Sequence, residues 1–205
     1  TLENLGMNES FWKNKKILVT GHTGFKGSWL ITWLLKLGAN VVGVSKDIPT
    51  SPSMFEELEL ESKIKHYQED IRDLQMIIKI LSDEKPDFLF HLAAQPIVST
   101  SYSDPIETIS SNVMGAANML EALKVLNHKC TAIIITSDKA YDNVEQVWGY
   151  KEDDKMGGKD IYSGSKGAAE LIIKSYYHSF FKKESCNIKI AIGRAGNVIG
   201  GGDWA

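Results

Sequence analysis

The chain has 205 residues, 43% of them hydrophobic, and a formal net charge of −3. That is length enough for one well-buried domain, and the charge leaves no electrostatic footprint for nucleic acid or a membrane surface. No apolar run reaches the roughly 18–20 residues that cross a bilayer. No basic-then-apolar leader is visible, and the two cysteines, Cys130 and Cys186, lack metal or redox spacing. A soluble cytoplasmic protein without a metal site is expected.

Thr1 to Gly6 precede a natural start at Met7 and are read as an extraneous remnant outside the fold. Lys15 to Thr20 is the first β-branched run, followed by a helix over Ser28 to Leu37 with Gly38 at its C-terminal cap. Val41 to Ser45 is the second strand. Thr50 to Glu61, bounded by Pro49 and Pro52, reads as an irregular excursion with a short helix at most. Ile64 to Asp70 alternates weakly, Asp73 caps a helix over Leu74 to Leu81, and Phe88 to Ala94 is nearly continuously apolar. Asp104-Pro105 opens a helix to about Leu126, because an acid caps and a proline suits the first turn. Ala132 to Thr136, a helix over Tyr162 to Phe181, and Ile188 to Ile192 complete the series.

Alternating strands and helices predict an α/β fold: a Rossmann-type doubly wound parallel sheet of six or more strands flanked by helices, spanning residues 7–205. The sequence stops just after the glycine-rich Gly196 to Trp204, so a C-terminal substrate lobe is expected to be missing from it. Trp29 and Trp33, one helical turn apart, are expected to pack the first helix on the sheet. His66, His128 and His178 have no ligand spacing; His22 either touches a phosphate or fills a turn.

The first strand runs straight into Gly21-His22-Thr23-Gly24-Phe25-Lys26-Gly27, the strand–loop–helix setting of a dinucleotide site. Gly21 permits the turn, Gly24 the approach of a pyrophosphate, and Gly27 close helix packing; Thr23, Phe25 and Lys26 fill the loop. A plain β-to-α turn is the alternative. Ser45 stands where an acid commonly holds the adenosine ribose, and Lys46 follows it, so this segment leaves NAD and NADP open. Asp70 and Ile71 are candidates for the adenine. Leu92, Ala93, Ala94 and Gln95 end the fourth strand, and the small residues among them suit a cofactor lying on the backbone.

Tyr162 is the only one of seven tyrosines with a lysine, Lys166, four residues on. On a helix the two share a face, and the ammonium is expected to lower the phenol pKa and make Tyr162 a base. Ser137, at the end of the fifth strand, would bond the same substrate hydroxyl. Asp138 and Lys139 follow it.

These residues, with His91 to Pro105, Ser137 to Asn143, Trp148 to Asp154, Tyr162 to Leu171 and Arg194 to Ala205, resemble the extended short-chain dehydrogenases/reductases, specifically their nucleotide-sugar 4,6-dehydratases of the CDP-glucose branch. The resemblance implies a tightly held NAD and an internal oxidation, dehydration and reduction taking CDP-glucose to CDP-4-keto-6-deoxyglucose. It implies Ser137, Tyr162 and Lys166 at the sugar 4-hydroxyl, Asp138 as the acid for the leaving 6-hydroxyl, and Asn197 on the substrate. Lys139 replaces the glutamate usual after that aspartate. It is either a neutral base at carbon 5 or an electrostatic partner of the enolate, unless it points away. A 4-epimerase would need no dehydrating acid, and a non-catalytic dinucleotide-binding module is the other alternative. The resemblance also implies a homodimer through the helices Pro105 to Leu126 and Tyr162 to Phe181. Ile161 and Gly164 depart from the family pattern before and inside the Tyr-x-x-x-Lys turn.

Overall fold

The computed structural model describes residues 9–204, so Thr1 to Gly6, Met7 and Ala205 lie outside the described residues. Six parallel strands, β1 (Lys16–Thr20), β2 (Asn40–Ser45), β3 (Lys65–Gln68), β4 (Phe88–His91), β5 (Cys130–Ser137) and β6 (Ile188–Ala195), form one sheet in the order β3-β2-β1-β4-β5-β6. The order reverses between β1 and β4, where a doubly wound sheet leaves a crevice beyond the strand ends.

Successive residues of β1 point to opposite faces, and both faces are covered. Leu18 joins Val42, Val44, Leu89 and Ile134 under helices α4 (Leu74–Glu84), α7 (Gly115–Leu123) and α8 (Ile161–Tyr176). Ile17 and Val19 join Val41 on the other face, with Ile31 and Leu34 of α2 (Phe25–Lys36) and Phe55 of α3 (Met54–Glu57). A short α1 (Glu9–Trp12) was not foreseen. Its Phe11 and Trp12 pack on Phe88, with ring centroids 5.7 and 5.1 Å apart. β5 departs from the expected two-sided burial: it alternates buried and half-buried residues, so Ile133 and Ile135 keep some exposure.

The helix expected from Pro105 to Leu126 runs continuously as α6 (Pro105–Ile109), a π turn (Ser110–Met114) and α7, with right-handed helical dihedrals at each junction, and α7 ends at Leu123; a short α5 (Val98–Ser103) precedes it. The Asp104 cap is as read: its carboxylate accepts from the Glu107 N–H at 3.0 Å, and Pro105 stands in the first turn. α8 also ends in a π turn (Tyr177–Phe181). Trp29 and Trp33 do not pack on the sheet. They are 48% and 44% exposed, and the Trp29 indole donates instead to the Gly201 carbonyl at 2.9 Å. The buried stripe of α2 is Gly27, Ser28, Ile31 and Leu34, which leaves positions 29 and 33 outside. No helix among the described residues is long and apolar enough to cross a membrane.

Candidate active site

β1 delivers Thr20 to a turn whose geometry demands glycine twice. Gly21 has φ +72°, donates its N–H to Val44 O at 2.8 Å, and a Cβ there would lie 2.7 Å from the Ala93 nitrogen. A Cβ on Gly27 would come within 2.1 Å of Gly21 O, so the loop cannot close without it. Gly24 differs: its Cβ would meet only Gly21 O, at 3.5 Å. It caps α2 with no side-chain bond, leaving the first N–H groups of that helix open to an anion.

Above this turn lies a cavity of about 890 Å³. All the candidate catalytic and binding residues except Asp138 and His22 line it: Gly21, Thr23 to Gly27, Ser45, Asp70, Ile71, Leu92 to Gln95, Ser137, Lys139, Tyr162, Lys166 and Asn197. The uncapped helix start, the open side of Gly24, and the ammonium groups of Lys26 and Lys166 suit a dinucleotide diphosphate.

Lining the cavity is not the same as having a free side chain. The Gln95 amide donates to Thr108 Oγ1 at 2.7 Å and accepts from the Ile97 N–H, so it organises α5 and α6. The Ser45 hydroxyl accepts from the Thr23 N–H at 3.4 Å and pairs with His22 Nδ1 at 3.0 Å. His22 is buried, with its other nitrogen 2.7 Å from His66 Nδ1. It therefore braces the end of β2, and of its two readings the turn-filling one holds. Burial and the neighbouring His66 push it down to about 4. Asp70 is gripped by Arg72, whose Nε lies 3.0 Å from Oδ1, and that guanidinium holds the carboxyl below its ordinary range.

At the other end, Tyr162 and Lys166 are 8% and 7% exposed, with Lys166 Nζ 5.7 Å from the phenol ring centroid. Burial, then repulsion from Lys26, push Lys166 down to about 8. The expected lowering of the phenol is absent. Burial raises it, Asp138 and Asp160 raise it further, and a bond to Ser137 only partly opposes them. At 5.7 Å from the ring the ammonium does not outweigh desolvation.

Ser137 ends β5 and donates to Asp138 Oδ1 at 3.0 Å. Asp138 is half exposed, its Oδ2 3.6 Å from where a Cβ on Gly196 would stand, and Lys139 Nζ lies 3.9 Å from its Oδ1. Phenol, hydroxyl and carboxyl thus follow one another from the buried to the open side.

Three features escaped the sequence reading. Asp160 caps α8, accepting from the Ser163 N–H at 2.9 Å, which starts the helix one residue before Tyr162. Asn112, inside the π turn, bonds Ser165 Oγ at 2.9 Å, and Ser165 in turn bonds Tyr162 O at 2.7 Å. Glu170, fully buried one turn past Lys166, accepts from Thr136 Oγ1 at 2.7 Å and from Arg194 Nε at 2.7 Å, tying α8 to β5 and β6. Asp104-Pro105 and the helical period of α8 were visible signals; these cross-links had none.

The GDP-mannose 4,6 dehydratase family model matches residues 18–196. A CDP-glucose 4,6-dehydratase of Salmonella typhimurium is 49% identical over 202 residues, covering 97% of this chain and 56% of that protein. A UDP-glucose 4-epimerase of Lactobacillus helveticus is 30% identical, covering 77% of this chain and 46% of its own length. Among solved structures, UDP-glucuronic acid 4-epimerase from Bacillus cereus, in complex with UDP-glucuronic acid and NAD, superposes with a TM-score of 0.72 at 32% identity, over 87% of this chain and 55% of that one. The chain spans about half the length of the curated relatives it matches. Its glycine loop, sheet order and matched residues together establish that the chain belongs to the GDP-mannose 4,6 dehydratase family, within the extended short-chain dehydrogenases/reductases.

Proposed function

We propose that this chain binds NAD and carries the reacting residues of an NAD-dependent CDP-glucose 4,6-dehydratase, a lyase making CDP-4-keto-6-deoxyglucose, a deoxysugar precursor. The observation that carries the reading is that Tyr162 and Ser137 line the cavity together and the Ser137 hydroxyl donates to Asp138, whose half-exposed carboxyl stands just outside the lining. The 49% identity to the Salmonella enzyme supports the choice of nucleotide sugar.

Bound NAD would supply a hydride acceptor that later returns the hydride. Tyr162 takes the proton of the sugar 4-hydroxyl, with the Ser137 hydroxyl holding that oxygen. Lys166, once an anionic cofactor offsets its burial, stays charged and favours the phenolate. Asp138 protonates the departing 6-hydroxyl so that it leaves as water. The proton at carbon 5 passes to a solvent water at the open side, and Lys139, partly exposed and 3.9 Å from Asp138, stabilises the enolate that this loss leaves until the 6-hydroxyl departs. Asn197 contacts the sugar or its phosphate from the last glycine-rich loop. Such an enzyme would work in the cytoplasm beside its nucleotide-sugar supply. Exposed Ile106, Met114 and Leu171 on α6, the π turn and α8 support a homodimer through those helices.

The test is mass spectrometry of products from CDP-glucose and other nucleoside-diphosphate sugars in deuterium oxide. Loss of water with deuterium at carbon 5 is expected. An isomer without mass loss would make the protein an epimerase instead. NAD binding without turnover would leave only the dinucleotide module.

A further inference from the structure

Lys46 stands just past the end of β2, where the adenosine ribose of a dinucleotide lies in this fold, and Arg72 holds the Asp70 that lines the same cavity beyond β3. Lys46 follows the last residue of β2 and, with Asp47 and Asp70, lines the cavity of the glycine loop. A free lysine there would suit a 2′-phosphate. This one is not free: its Nζ lies 3.1 Å from Glu107 Oε1 and 4.0 Å from Asp47 Oδ2. Arg72 pairs with Asp70 at 2.6 Å and with the other oxygen of Glu107. Glu107 therefore bridges both cations from α6, and the Ser111 hydroxyl fixes it with a 3.1 Å bond.

Resting on the NAD reading above, we propose that Glu107 is a specificity-determining positioning residue that makes the site accept a ribose 2′-hydroxyl and refuse a 2′-phosphate. At this end three carboxylates, Asp47, Asp70 and Glu107, face two cations. A 2′-phosphate, with nearly two negative charges, would meet cations already spent and a carboxylate that repels it. A neutral 2′-hydroxyl brings no such charge, so neither the engaged cations nor the carboxylate opposes it. The acid that fits this fold to NAD thus arrives from α6, not from the end of β2, where Ser45 takes the usual acidic position.

Calorimetry of this chain with NAD and NADP separates the possibilities. The wild type should bind NADP more weakly than NAD. Glu107→Gln, which frees Lys46 and Arg72, should shift the NAD-to-NADP affinity ratio toward NADP by about tenfold at low salt, less at high salt. Adding Lys46→Met to that variant should reverse most of the shift, which a merely structural loss at α6 would not. Lys46→Met alone should leave NADP affinity within about twofold, since that charge is already engaged. A ratio indifferent to Glu107→Gln overturns the proposal. So does a Lys46→Met protein that by itself loses NADP binding, a readout that stands even if the Glu107 variant does not fold. A wild type that binds neither dinucleotide would instead sink the NAD reading, and this proposal with it.

Discussion

At one end of the cavity Lys46 and Arg72 each rest against carboxylates, whereas at the other Lys166 is buried beside a second lysine. The first arrangement is half exposed, and surface pairs of this kind contribute little to stability, typically below about 1 kcal/mol. Its effect is on which anion the site will accept. The second is costly in the free protein, because the ammonium is largely desolvated and no ion pair among the described residues holds it. The fold tolerates that cost where, on the proposed function, an anionic ligand and a phenol base are to be held, as perturbed groups at functional sites commonly are. On the two proposals above, compensated charge therefore marks the selective end, and uncompensated charge the reacting end.

The sharpest way to break this contrast is to remove the phenol. Tyr162→Phe should lower turnover of CDP-glucose by about 10²–10⁴-fold while NAD affinity, read by calorimetry, changes little. A variant as active as the wild type would mean that the buried end is not the reacting end.

The buried end also depends on its support. Glu170→Leu would strand Arg194, whose side chain is 12% exposed, without its carboxylate. A loss of about 3–5 kcal/mol in urea denaturation is expected, against little change for Glu107→Gln at the exposed end. Equal losses at the two sites would erase the distinction.

pH gives a third reading. Lys166 is at about 8 in the folded chain, below the ordinary 10.5, so the folded state binds fewer protons than the unfolded one between those values. This group's contribution to stability therefore rises with pH from about 8 to 10.5, by about 3 kcal/mol at most. Below pH 8 the cost of its buried charge is fully present. Urea midpoints measured across that window should rise less in Lys166→Met than in the wild type. Saturating NAD should shrink the rise by returning the ammonium toward its usual range.

The smallest effect concerns Gly164, between Tyr162 and Lys166. A Cβ there meets nothing within 4 Å, so no close packing requires this glycine. Gly164→Ala should raise stability by up to about 1 kcal/mol through helix propensity and leave both ends of the cavity alone. A loss of NAD binding would show that this turn must yield during ligand entry.

What could be read from the chain was local. β-branched runs, the glycine turn, the Asp73 and Asp104 caps and the four-residue spacing of Tyr162 and Lys166 are patterns of near neighbours, and the strands, the turn and the shared helical face follow from backbone periodicity. The two tryptophans show where such patterns mislead: a one-turn spacing says they share a face, not which face.

The sequence by itself determined the alternation of elements, the position of the glycine loop and the residues that gather around the cavity. Tertiary structure alone decided the state of those residues. Glu107 reaches Lys46 across 61 positions and Arg72 across 35, and Glu170 reaches Arg194 across 24. No period links residues so far apart; they meet because helices cross strand ends in space. The phenol of Tyr162 rises instead of falling for the same reason, since desolvation depends on everything packed around a group and not on the lysine one turn away.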